Sequence, residues 1–187
     1  MATIRRVDVD ISDPLQHHME QPEHRYILKF LIGSAIFFFV GTLQGVLQVL
    51  PPIRAWLDSI GSPMAGPGHM IDPLAHAHIN VVGGVVILAM GLSYYLFPTI
   101  SGKPIHSVRL ANHSFWWITT GVCLFYITLL VFGTIEGNLL LHDPASVPAV
   151  HHYYAPVLSV ASTVMGMGFW IFVANIMLTV RDIYKKP

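Results

Sequence analysis

Along the chain the apolar residues come in long blocks. Four stretches carry no Asp, Glu, Lys or Arg: residues 30–50, 76–97, 115–135 and 155–180. Each reaches the roughly 20 residues a helix needs to cross about 30 Å of hydrocarbon. Backbone groups in lipid have no water to bond, so each block must pair its own N–H and C=O groups as a helix. The pattern predicts an all-α, polytopic membrane protein with four transmembrane helices. The Gly/Pro-rich stretches "LPPIRAWLDSIGSPMAGPGHMIDP" and "GNLLLHDPASVPAVHHYY" read as loops between spans. Residues 1–25 are polar and lack the apolar core of a signal peptide, so the first span is expected to direct insertion. The expected organisation is a polar cytoplasmic segment over residues 1–25, a four-helix transmembrane domain over 26–182 and a cytoplasmic tail over 183–187.

Composition agrees with the pattern. The 187 residues are 53% hydrophobic and 11% charged, with a mean hydropathy of +0.59. Formal net charge is zero, so nothing in the composition suggests nucleic acid. The single cysteine, Cys123, falls inside the third block and excludes both an internal disulfide and a CxxCH heme attachment.

Charge placement orients the bundle. Arg5, Arg6, Arg25, Lys29, Lys103, Arg109, Arg181, Lys185 and Lys186 belong to the termini and the loop between spans two and three. The opposite side holds only Arg54. Under the positive-inside tendency both termini are cytoplasmic. The protein is expected in the cytoplasmic (inner) membrane, with the other two loops facing the periplasm. His69, His76, His78, His142, His151 and His152 then gather on the outer side. His17, His18, His24, His106 and His113 fall on the inner side, where solvation is the simple reading.

His76 and His78 open the second apolar block, "AHAHINVVGGVVILAMGLSYYLFP". Successive helical residues turn by about 100°, so these side chains point about 200° apart. They cannot share one metal ion as an i, i+4 pair would. Two cofactors flanking the helix, or one cofactor and one hydrogen-bonded histidine, suit this geometry. Neutral imidazole is a good axial ligand for heme iron when its other nitrogen is held by an acceptor. The plain reading is an interfacial histidine bonded to water or headgroups. Gly83–Gly84 would let a flat macrocycle approach closely, and would equally serve helix packing.

These residues carry a resemblance. "AHAHINVVGGVVILAMGLSYYLFPTISGK" resembles the tenth helix of the heme-copper oxidase superfamily catalytic subunit, a group that includes the nitric oxide reductases. "FFFVGTLQGVLQVLPPI", "SFWWITTGVCLFYITLLVFGTIEG" and "GFWIFVANIMLTVRD" resemble the helices around it, the first in its nitric oxide reductase form. The likeness runs from about Tyr26 to Asp182 and covers only the last four helices of that family. It implies that His76 binds a high-spin heme and His78 a low-spin heme, toward the outer side. It also implies that the other low-spin ligand and the three histidines of the second metal belong to helices this chain does not contain.

Three functions remain open on this reading. The first is a heme b-binding subunit, with one heme or two, carrying electrons in a respiratory complex. Its donor would be quinol or a c-type cytochrome, its partners other membrane and periplasmic redox subunits, and its second axial ligand His151 or His152. The second is a C-terminal piece of a split nitric oxide or oxygen reductase. The third is a heme-free structural subunit. "HHYY" at His151–Tyr154 also reads as an interfacial belt. Arg54 could pair with heme propionates or with lipid headgroups. Gln44 and Gln48 read first as interhelical hydrogen-bonding residues, and secondarily as propionate or quinone contacts. Asn80 could orient a group bound at His76. Glu136 is expected to be a solvated residue at the end of the third span. Asn175 has no evident partner. Met165 and Met167 read as packing residues, and Trp116 and Trp117 as an interfacial belt.

Overall fold

The computed structural model describes residues 22–61 and 73–185. The expected polar segment up to residue 21, with His17 and His18, lies outside the described residues, as do His69 and Lys186. A short 3-10 turn, Pro22–Ile27, leads into α1 (Leu28–Leu47). Leu50 is extended, and the following Pro51 supplies the fixed φ that starts α2 (Pro51–Ser59). The second span is continuous from α3 (Pro73–His78) through a π-helical segment, Ile79–Val86, into α4 (Ile87–Ser101). Gly102, at φ +66°, ends it in the left-handed conformation common after helices. Ser107 caps α5 (Val108–His142) by accepting from the Leu110 N–H. A 3-10 turn, Pro144–Ser146, separates it from α6 (Val147–Tyr184).

Four helices are thus long and apolar enough to cross a membrane: Arg25–Leu47, Leu74–Ser101, Val108–His142 and Pro144–Tyr184. Two predicted loops are corrected. The first contains α2, because two prolines at a helix start preorganise the turn. The second is almost entirely helical, because neither Glu136 nor His142 interrupts α5. At about 1.5 Å per residue, the 35 residues of α5 and the 38 of α6 exceed the hydrocarbon thickness. Both must project from it.

The last two spans form the tightest pair. A Cβ on Gly121 would lie 2.3 Å from the Met165 Cα, and one on Gly168 would lie 2.5 Å from the Ile118 nitrogen. Small residues here let two backbones touch, the usual basis of helix association in lipid. An aromatic cluster joins all four spans nearer the basic end. Phe30 meets Tyr94 at 5.6 Å and Phe115 at 5.0 Å, and Tyr94 meets Phe172 at 5.4 Å. All are edge-to-face, the favoured aromatic arrangement.

Asn175 is fully buried and well partnered, which corrects the sequence reading. Its side chain accepts from the Ser107 N–H at 3.1 Å and donates to the Ser107 carbonyl at 2.9 Å. The neighbouring His106 N–H donates to Thr179, and His106 Nδ1 lies 2.7 Å from Asp182. These bonds clamp the turn before α5 to the end of α6. A partner 68 residues away could not be read from local pattern.

Candidate functional site

The second span begins as an ordinary α-helix and widens immediately after His78. In the π segment the Ile87 N–H reaches the Val82 carbonyl, five residues back. Such widened turns occur often at functional sites. Ser34 of α1 donates to the Gly84 carbonyl at 2.8 Å, giving that buried oxygen a partner across the helices. Gly83 and Gly84 lie under Phe37 and Phe38, so α1 fills the groove they open.

His76 turns toward α1. Its Nδ1 lies 2.8 Å from the Gly41 carbonyl oxygen, and Gly45 leaves the space the ring fills. A carbonyl can only accept, so Nδ1 carries the hydrogen and the Nε2 lone pair is left over. Asn80, one turn on, donates from Nδ2 to the His76 carbonyl at 2.9 Å. With Nδ1 protonated, the 3.2 Å approach of the same amide nitrogen to that ring atom is a packing contact. The Asn80 Oδ1 is buried and has no hydrogen-bond partner among the described residues. An unpaired polar oxygen in lipid-depth protein is costly. Here it sits on the residue that braces His76.

His78 turns the other way, toward α5. Its ring stacks on Phe125 with centroids 4.4 Å apart and an interplanar angle of 30°. Its Nδ1 donates to the Leu74 carbonyl at 2.8 Å, which again leaves Nε2 without the hydrogen. The opposed directions expected from helical geometry are therefore present. Both imidazoles have the tautomer that axial coordination requires, with the non-coordinating nitrogen held by an acceptor. That donor chemistry fits heme iron.

The remaining predicted residues lie apart from this pair. His151 Nδ1 contacts the Glu136 carboxylate at 2.9 Å, and its ring stacks on Tyr154 at 5.4 Å. His152 packs edge-on to Tyr153. No hydrogen bond or ring contact joins His151 or His152 to His76 or His78 among the described residues. Glu136 was expected to be solvated and is instead 4% exposed, because α5 continues past it as helix and turns its carboxylate toward His151 of α6. Arg54 donates to Asp58 from Nε at 3.1 Å and Nη2 at 3.0 Å, and from Nη1 to the Gln48 carbonyl at 3.4 Å. Tyr126 donates to Gln44 at 2.7 Å, so Gln44 does bond between helices. No group of three or more His, Cys, Asp or Glu side chains able to hold a metal ion occurs among the described residues.

Four contributors escaped sequence reading. Gly41 and Gly45 shape the seat of His76, and their small-xxx-small spacing in "GTLQG" was the available signal. Phe125 and the Glu136–His151 contact depend on how α5 rotates against its neighbours, which no local pattern carries.

Comparison with known proteins identifies the family. Residues 17–155 match the model of the family described as cytochrome c and quinol oxidase polypeptide I. The chain belongs to that family. It is 28% identical over 113 residues to the Cbb3-type cytochrome c oxidase subunit CcoN1 of Stutzerimonas stutzeri, covering 59% of this chain and 22% of that protein. It is 23% identical over 167 residues to the bacteroid cytochrome c oxidase subunit 1 homolog of Bradyrhizobium diazoefficiens, covering 83% of this chain and 28% of that one. The cytochrome c oxidase subunit 1 of Rhodobacter capsulatus matches at 22% identity, over 59% of this chain and 19% of its own length. The chain thus matches between a fifth and a little over a quarter of these relatives. It is a multi-pass, heme-copper oxidase-like membrane polypeptide corresponding to part of a catalytic subunit.

Proposed function

We propose that this chain supplies the heme-ligating helix of an oxygen- or nitric oxide-reducing membrane oxidase, as one piece of its catalytic subunit. The observation that carries this reading is the pair of oppositely directed imidazoles, each with Nδ1 on a backbone carbonyl and Nε2 left for a metal. His76 would hold a high-spin heme b and His78 a low-spin one. Bound there, the hemes would supply electron transfer and the binding of the reducible gas. The chain's own part is to hold the two rings. Gly41 and Gly45 seat His76, Phe125 stacks His78, and Asn80 braces the turn between them. Partner helices would bring the other low-spin ligand and the second metal. The relatives named cytochrome c oxidase fit a c-type cytochrome as donor, and those named ubiquinol oxidase fit quinol. The membrane would be the inner one, with the His76 end of the bundle periplasmic and both termini cytoplasmic. Arg54 would meet a heme propionate only by sharing its guanidinium with Asp58.

A second reading is a single-heme electron carrier with His151 or His152 as the other axial ligand. What favours it is the buried Glu136 carboxylate on His151 Nδ1, a contact that orients imidazole ligands in many metal sites.

The deciding experiment counts heme per chain in the natively purified complex by pyridine hemochrome, with spectra of single variants. Two hemes, with the low-spin signal lost in His78→Ala and the high-spin signal lost in His76→Ala, support the first reading. One six-coordinate heme that depends on His151 or His152 supports the second. Spectra unchanged by either H-x-H variant refute both.

A further inference from the structure

The cations of the described residues are not all satisfied alike. Arg54 pairs with Asp58, Arg181 pairs with Asp182, and Lys103 donates to the Asp182 and Ile183 carbonyls at the end of α6. Arg25, Lys29, Arg109 and Lys185 have no ion pair among the described residues. The first three belong to one corner of the bundle. Arg25 and Lys29 stand at the start of the first span, and Arg109 lies in the first turn of α5. Two contacts join these helices there. Lys29 Nζ donates to Asn112 Oδ1, and the Phe30 and Phe115 rings meet at 5.0 Å. The half-buried ammonium lies 5.1 Å from the Phe115 centroid and 5.7 Å from that of Phe30. An ammonium has three N–H donors, and Asn112 takes one. A half-buried cation with donors to spare and no carboxylate calls for an anion.

We infer that this corner binds the phosphate of an acidic membrane phospholipid, with the Lys29 ammonium and the Arg109 guanidinium on its oxygens. The guanidinium fork matches two phosphate oxygens, and the ammonium adds a point charge. The order of residues along α5 selects a lipid over the carboxylate of a partner helix. At about 100° per residue, Arg109, Asn112, His113, Trp116 and Thr120 fall within about 100° of one face. Trp116 is 61% and Trp117 40% exposed, about two turns beyond Arg109, and the charge-free block begins at residue 115. Cation, then indole, then apolar chain is the sequence in which a phospholipid presents its phosphate, glycerol ester and acyl chains. A cleft of about 340 Å³ lined by His113, Trp116, Trp117, Thr120, Leu124 and Val164 continues that face along the span, where an acyl chain would follow. Lys29 likewise directly precedes its own charge-free block, residues 30–50. Asn112 is a positioning residue here: it steadies Lys29 without neutralising it. The inference does not depend on heme.

The test uses the natively purified complex in phosphatidylcholine nanodiscs carrying a trace of phosphatidylglycerol with a diazirine on one acyl chain. Crosslinks are expected on the Trp116–Leu124 face. Unlabelled phosphatidylglycerol should compete about 25-fold better than phosphatidylcholine, from two cations each contributing about fivefold. Lys29→Gln and Arg109→Gln should each cut that preference about fivefold. Asn112→Asp, which gives Lys29 a carboxylate of the same size, should cut it as Lys29→Gln does, whereas a residue that only packs would leave it unchanged. Because the two lipids are compared on the unaltered protein, a variant that fails to fold leaves the test intact. Equal competition by the two lipids, a preference unchanged in both glutamine variants, or displacement of the label by inorganic phosphate overturns the inference. So does absence of crosslinks on this face, which would mean that a partner subunit covers it. Heme content measured on the same samples is expected to be the same in all variants, so this result and the heme reading fail separately.

Discussion

Gly45→Ala is a one-carbon change aimed at the seat of His76. A Cβ at Gly45 would lie 2.4 Å from His76 Cε1 and 2.9 Å from Nδ1, whereas ordinary contact begins at 3.4 Å. Relief needs a displacement of about 1 Å. The ring is held at that same edge, to the same helix, by the 2.8 Å bond from Nδ1 to the Gly41 carbonyl. Moving by that much stretches the bond past useful length. The loss of one buried hydrogen bond costs about 1 kcal/mol, and overpacking adds about 1–3 kcal/mol. The sum, about 2–4 kcal/mol, exceeds the helix-propensity gain of replacing Gly by Ala, about 1 kcal/mol. Gly166→Ala is the control, since its nearest neighbour would be Trp170 at 3.8 Å, an ordinary contact. Detergent melts of the two variants should therefore diverge, Gly45→Ala falling and Gly166→Ala holding or rising. In the heme-loaded complex Gly45→Ala should disturb the high-spin signal assigned to His76 and spare that of His78. Melting of Gly45→Ala at or above the parent temperature, with both signals intact, would refute the packing argument.

Three other perturbations probe separate parts of the bundle. Ser34→Ala removes the hydroxyl that α1 donates to the Gly84 carbonyl and should lower stability by about 1 kcal/mol; faster amide exchange through the π segment would report it, and unchanged exchange would count against the role of that bond. Asn175→Leu leaves the Ser107 N–H without its partner and should cost about 1–3 kcal/mol, read as loss of ordering of the turn before α5 in limited proteolysis. Glu136→Leu frees His151 Nδ1, so carbethoxylation of His151 should speed up while Glu136→Gln keeps an acceptor oxygen and the parent rate; equal rates in all three proteins would show that the contact does not hold the ring.

Much of the architecture was legible because lipid imposes few solutions. An uninterrupted block of apolar residues such as 115–135 has to be a helix, and the opposed directions of His76 and His78 follow from helical pitch alone. The helix ends were less legible. Glu136 reads as a place to stop, yet a carboxylate can stay in a helix when a neighbouring span covers it and His151 meets it. The π segment was also hidden. Ile79–Val86 holds β-branched residues, one asparagine and two glycines, a mix that marks no particular turn width, and Ser34 and the phenylalanines of α1 pack against the wider turn.

The amino-acid order alone determined that four helices cross the membrane, which histidines share one of them, and that they face apart, because hydropathy and pitch act over a few residues. Tertiary packing decided what each histidine touches. The Gly41 carbonyl lies 35 residues from His76 in the chain, and Phe125 lies on the following span from His78. Which tautomer each ring adopts depends on acceptors delivered by the fold, since a nitrogen gives its hydrogen to whatever carbonyl packing has placed within reach.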